Sequence, residues 1–171
     1  MYSRPRSIHL IIKFMSLIHL TTFIKAPCDR VFDLSRSVDL HKKSMSQFDE
    51  KIIDGVMSGL MKTGDTVTWT AKHLFSKRIL KVKITRFQRP DFFVDEQVQG
   101  DFLMMKHEHY FKSIENGTIM IDQFHYELKN GLAGKLLNRL YLERYMTTLL
   151  HKRNEMIKQF AESNQWKQIL A

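Results

Sequence analysis

Two histidines one residue apart, His107 and His109, are the sharpest chemical feature of the sequence. On an extended strand, side chains two residues apart project from one face roughly 6.5 to 7 Å apart, so both imidazoles can reach a shared partner. Three readings suit such a pair. A metal ion would need further ligands, but Glu115 falls in a turn and no cupin-like Pro-x-Gly with a downstream His follows, so no metal is expected. A buried pair satisfied by its neighbours is the structural reading. Contact with a ligand, or proton transfer to it, is the third, because imidazole titrates near neutrality. Asp95 and Asp122 could orient the rings and make one of them a general base for enolisation or cyclisation, or could simply be surface or strand-pairing carboxylates. Trp69, Phe111 and Tyr126 could grip an aromatic or lipid ring, or serve as plain core.

Other chemistries find little support. No Gly-x-Ser-x-Gly is present, and the single cysteine, Cys28, lies at an expected helix start without an evident His partner. Neither a Gly-x-Gly-x-x-Gly nor a Gly-Lys-Ser/Thr phosphate loop occurs, so no cofactor is expected. Lys135, Arg139, Arg144, Lys152, Arg153 and Lys158 surround the last segment and could touch nucleic acid or anionic lipid. Solvated helix faces explain them as well, no platform of exposed aromatics accompanies them, and nucleic acid is not expected as a partner.

These residues need a scaffold. A chain of 171 residues is the size of one domain, and 12 Phe with seven Gly and three Pro exclude collagen and wholesale disorder. Its formal charge of +9 favours acidic partners without informing fold. One cysteine cannot make an internal disulfide, so a reducing cytoplasm is the expected compartment. Arg4 and Arg6 before the apolar run Ile8 to Ile24 imitate a secretory signal, but Lys13, His9 and His19 interrupt it and no small-x-small cleavage site follows. The run is also too short and polar to span a membrane. The expected organisation is a loosely held extension, 1–14, and one domain, 15–171.

Ser16 to Ile24 alternates as a strand. Pro27 suits the first turn of a short helix carrying Val31, Phe32 and Leu34, and Ser37 is a candidate N-cap for a second, through Leu40 to Met45. Six further strands follow: Lys51 to Leu60, Asp65 to Phe75, Ile79 to Phe87, Phe92 to Gln99, Phe102 to Lys112 and Thr118 to Glu127, with Asn116-Gly117 the best hairpin signal. Leu142, Met146, Leu149, Met156 and Phe160 then recur at helical spacing, with Arg153 in the remaining position, predicting one amphipathic helix from Leu132 to about Glu162.

Parity sets the inner face. Val67, Trp69, Ala71, His73 and Phe75 oppose Thr66, Thr68, Thr70 and Lys72, while Leu103, Met105, His107, His109 and Phe111 oppose Lys106, Glu108, Tyr110 and Lys112. The strands around Asp95 and Asp122 carry apolar groups on both parities; Asp95, Asp122 and Tyr126 are assigned inward. A long helix across a curved sheet leaves space between the layers, so a mostly apolar cavity is expected. Its buried imidazoles and carboxylates must find partners.

The phrases Ile24-Lys25-Ala26-Pro27 before Val31-Phe32, Gly64-Asp65-Thr66-Val67-Thr68-Trp69, Pro90-Asp91-Phe92-Phe93-Val94-Asp95, Gly100-Asp101-Phe102, His107-Glu108-His109-Tyr110-Phe111, and Gly117-Thr118 with Asp122 and Tyr126 before Gly131 and Gly134 resemble the SRPBCC, or START-like, superfamily. The resemblance runs from about Ile18 to Phe160 and is nearest to a bacterial ligand-binding branch. Leu128-Lys129-Asn130 departs from the proline common there. The resemblance implies an α+β helix-grip fold: about seven antiparallel strands, two short helices after the first, and a long C-terminal helix over the concave face. It also implies a tunnel for a lipid, sterol or polyketide, on a fold that hosts carriers, sensors and enzymes. The expected function is binding of a small hydrophobic molecule. The expected lining is Trp69, His73, Asp95, Met105, His107, His109, Phe111, Asp122 and Tyr126. A cyclase- or isomerase-like enzyme using His107 or His109 as acid and base is the alternative, and catalysis is not the leading expectation.

Overall fold

A computed structural model of the chain describes residues 15–73, 76–128 and 141–170, without the side chain of His73. The expected extension 1–14, the first part of the expected last helix, Lys135 and Arg139 lie outside the described residues, as does the side-chain placement of His73.

Seven strands form one antiparallel sheet: β1 (Ser16–Ile24), β2 (Lys51–Gly55), β3 (Thr66–His73), β4 (Ser76–Gln88), β5 (Phe92–Gln99), β6 (Met104–Ile114) and β7 (Gly117–Glu127). Their spatial order is β1-β7-β6-β5-β4-β3-β2, so β1 and β2 lie at opposite edges. The chain crosses between those edges through α1 (Cys28–Ser35) and α2 (Val38–Ser44). Pro27 sits one residue before α1 and its carbonyl accepts the amides of Arg30 and Val31. Ser37 caps α2, its side chain accepting from the Leu40 amide at 3.3 Å.

One expected strand is shorter than its sequence suggests. Lys51 to Leu60 pairs only as far as Gly55, which has φ +88° and where a Cβ would run into the Thr66 carbonyl oxygen. Gly59, at φ +83°, then donates its amide to Asp39 and accepts from Val38, while Leu60 bridges to Ser37. Two left-handed glycines thus turn the apolar stretch away from the sheet and onto the α1–α2 junction.

Alternation decides the inner face where sequence left it open. Along β7, Thr118, Met120, Asp122, Phe124 and Tyr126 are all buried, while the intervening residues are half-buried. The described part of the last helix, α3 (Glu143–Glu162), packs on α1, α2 and β1. Its inward stripe is Leu149, Leu150, Ile157, Phe160 and Ala161, interrupted by buried Arg153 and Asn154. Under α1, Phe32 meets Phe87, Phe93 and Phe111 edge-on at centroid distances of 5.3, 5.6 and 5.2 Å.

Candidate functional site: a cavity with one charged end

Between the sheet and the helices lies a cavity of about 570 Å³. Strands β3 and β4 supply an apolar wall of Val67, Trp69, Ala71, Leu80, Val82 and Ile84. From α3, Met146, Leu149 and Leu150 complete the apolar part, and Arg153 the polar part. Volume and chemistry suit an organic molecule of moderate size.

Strand register builds the charged end. Asp95 on β5 lies opposite His107 on β6, and His109 lies opposite Asp122 on β7. Inner-face parity turns all four toward one another, and their hydrogen bonds run both directly across and diagonally between strands. His107 Nε2 donates to Asp122 Oδ1 at 3.0 Å, and His109 Nδ1 lies 2.8 Å from the same oxygen. His109 Nε2 lies 2.9 Å from Asp95 Oδ2. From α3, Asn154 Nδ2 donates to Asp122 Oδ2 at 2.7 Å, while Arg153 reaches Asp122 Oδ1 at 3.4 Å and donates to the Ser35 carbonyl at 3.0 Å.

These partners outweigh the cost of burial for the acids. Burial alone would raise the Asp122 pKa, yet hydrogen bonds from His107 and His109 and the Arg153 charge hold it well below the carboxylate range. Asp95 is shifted the same way: burial opposes ionisation, but the His109 hydrogen bond and nearby cationic groups prevail. His107 moves down to about 4, because burial and then the neighbouring His109 disfavour its charged form more than Asp122 favours it. Its ring is therefore neutral at physiological pH.

Of the residues expected to line the cavity, Trp69, Asp95, Met105, His107 and His109 do so. Phe111, Asp122 and Tyr126 point inward but lie behind the wall. Phe111 belongs to the aromatic cluster, Asp122 sits beneath the histidines, and Tyr126 packs on Phe102 and Phe124 at centroid distances of 5.4 and 5.6 Å. Expected as a basic surface group, Arg153 is instead 7% exposed and lines the cavity. A cation in an otherwise apolar helical stripe was the sequence signal for it. His41 carried no comparable signal: its ring covers Trp69 at 4.4 Å, and its Nε2 lies 2.8 Å from Glu50 Oε1. Both His41 and Glu50 line the cavity. Burial, with Asp29 adding to it, pushes the Cys28 thiol up, opposite to an activated nucleophile.

No known family profile and no curated protein matches the chain. Solved structures do. TTHA0849 from Thermus thermophilus aligns with TM-score 0.65 at 18% identity, over 83% of this chain and 97% of that one. Ginseng major latex-like protein 151 from Panax ginseng aligns with TM-score 0.65 at 15% identity, over 87% and 99%. The di-domain ARO/CYC StfQ from the steffimycin biosynthetic pathway gives TM-score 0.69 at 14% identity, over 86% of this chain and 51% of that longer one. At these identities the common property is architecture: the chain has the α+β helix-grip fold that these structures share.

Proposed function

We propose that the protein binds a small, largely hydrophobic molecule, a lipid, polyketide or aromatic compound, between the sheet and the C-terminal helix. One observation carries this reading: a cavity of about 570 Å³ with a mostly apolar wall and, at one end, the buried cluster in which His107, His109 and Arg153 pair with Asp122 and Asp95. Such an end can anchor the polar group of an otherwise apolar guest. The partner is then a small molecule rather than a nucleic acid, and Arg153 spends its charge inside. Among the described residues no helix is long and apolar enough to cross a membrane. A reducing cytoplasm, compatible with one unpaired cysteine, is part of the proposal.

The neutral apolar fluorophore N-phenyl-1-naphthylamine tests the reading. It should bind with enhanced emission, and Ala71→Phe, which adds a ring to the wall, should weaken it at least about tenfold by removing guest volume. Unchanged affinity in a folded variant would remove the cavity from the account.

The ARO/CYC neighbour and the paired imidazoles support a second reading, a cyclase- or isomerase-like enzyme. A general base works best with a pKa near the operating pH, and His107 at about 4 is weakly basic, so binding is preferred. Replacing both histidines by Gln should change affinity for an apolar guest less than about tenfold in a carrier and abolish turnover in an enzyme.

A further inference from the structure

We propose that Asp95, His107 and His109 form a binding site for one divalent transition-metal ion of the zinc or ferrous type at the charged end of the cavity. One donor atom from each of the three lies within 4.8 Å of the others. The sequence offers no third ligand close to His109; the register of β5 against β6 brings it from the neighbouring strand.

Asp122 makes the arrangement more than a cluster. Its Oδ1 faces Nε2 of His107 at 3.0 Å and Nδ1 of His109 at 2.8 Å, so one carboxylate can hold a proton on each ring. Carboxylates behind ligating histidines fix tautomer and orientation in this way. The nitrogens left to bind are Nδ1 of His107, which has no hydrogen-bond partner among the described residues, and Nε2 of His109, which meets Asp95 Oδ2 at 2.9 Å. A metal would take the place of the proton in that last contact: His109 Nε2 and Asp95 both become ligands, and one proton leaves as the cation enters. The side chains of His107 and His109 are 7% and 1% exposed and that of Asp95 17%, and all three line the cavity, which supplies the route inward.

Two imidazoles and one carboxylate favour zinc or ferrous iron over magnesium or calcium, which prefer oxygen ligands throughout. Three protein ligands also leave a coordination position for an exogenous oxygen. Arg153 adds an opposing positive charge that is felt by Asp95, but its hydrogen bonds go to Asp122, Asn154 and the Ser35 carbonyl rather than to the three ligands, so it leaves their donor atoms open.

The test uses the full chain without a polyhistidine tag, titrated with Co(II) and followed by visible absorption, with Zn(II) as competitor. One equivalent should bind and be displaced by Zn(II). Asp122→Asn should weaken binding about 10- to 100-fold through the outer shell. Asp95→Asn, at the more accessible position, should weaken it at least as much while its amide can still pair with His109 and preserve the fold. Either no Co(II) binding, or binding that Asp95→Asn and a His107→Gln/His109→Gln variant leave unchanged, overturns the proposal. N-phenyl-1-naphthylamine binding is read on the same samples, so loss of the cavity reading and loss of the metal reading are separate results.

Discussion

Two clusters share the inner face and are built on opposite physics. Under α1, four phenylalanines fill space by dispersion and ring geometry. Beside them, Asp95, Asp122, His107, His109 and Arg153 fill space with charge that is tolerable only because each member answers another. The clusters touch where Phe93 stacks on His109, with ring centroids 4.2 Å apart. A lost ring leaves a void whose cost does not depend on pH, whereas a lost ionic partner leaves its neighbour buried and uncompensated, at a cost that pH can change. The first is buried packing; the second places Asp95, His107, His109 and Arg153 along the cavity wall.

The largest expected effects come from breaking each cluster once. Arg153→Ala removes the cation facing Asp122 and should cost about 3–5 kcal/mol at pH 7, measured by urea unfolding. Phe32→Ala should cost a similar amount, about 3–5 kcal/mol, from lost burial and the void left behind. Acid separates the two. The Arg153→Ala penalty should shrink as falling pH neutralises the stranded carboxylates, while the Phe32→Ala penalty stays flat; parallel pH profiles would merge the clusters into one kind.

A smaller effect sharpens the same contrast in metal-free protein. His107 takes up a proton at about 4 when folded but near its ordinary 6.5 when unfolded, so acid favours the unfolded chain across this window. Stability should be insensitive to this group above pH 6.5 and fall by about 3 kcal/mol on descending to pH 4. Asp95 and Asp122, whose folded pKa values are depressed, add further loss below the ordinary carboxylate range. His107→Gln should flatten the upper part of this profile and leave the lower part.

Much of this was readable from residue order, and the failures have particular causes. Alternation in β3 and β6 separated the faces because their outer positions are polar; in β7, Ile119 and Ile121 occupy the outer face and obscured it. The Ser37 cap was legible because capping is local. Phe111 and Tyr126 face inward as their parity requires, but where a cavity ends along a strand depends on where helices cross it, which no local pattern encodes. The early end of β2 came from the left-handed backbone at Gly55 and Gly59 overriding apolar composition. That Asp95 and Asp122 could orient the two rings was readable from their inward parity, but which carboxylate meets which ring nitrogen is a matter of register and appears only when the sheet is assembled.

Trp69 has a practical consequence. It is one of only two tryptophans, and it forms part of the cavity wall against His41, whereas Trp166 lies outside that lining beneath the Arg30 guanidinium. If a guest enters the cavity, Trp69 is the indole placed to sense it, and a Trp166→Phe variant would leave that emission as the chain's sole indole signal.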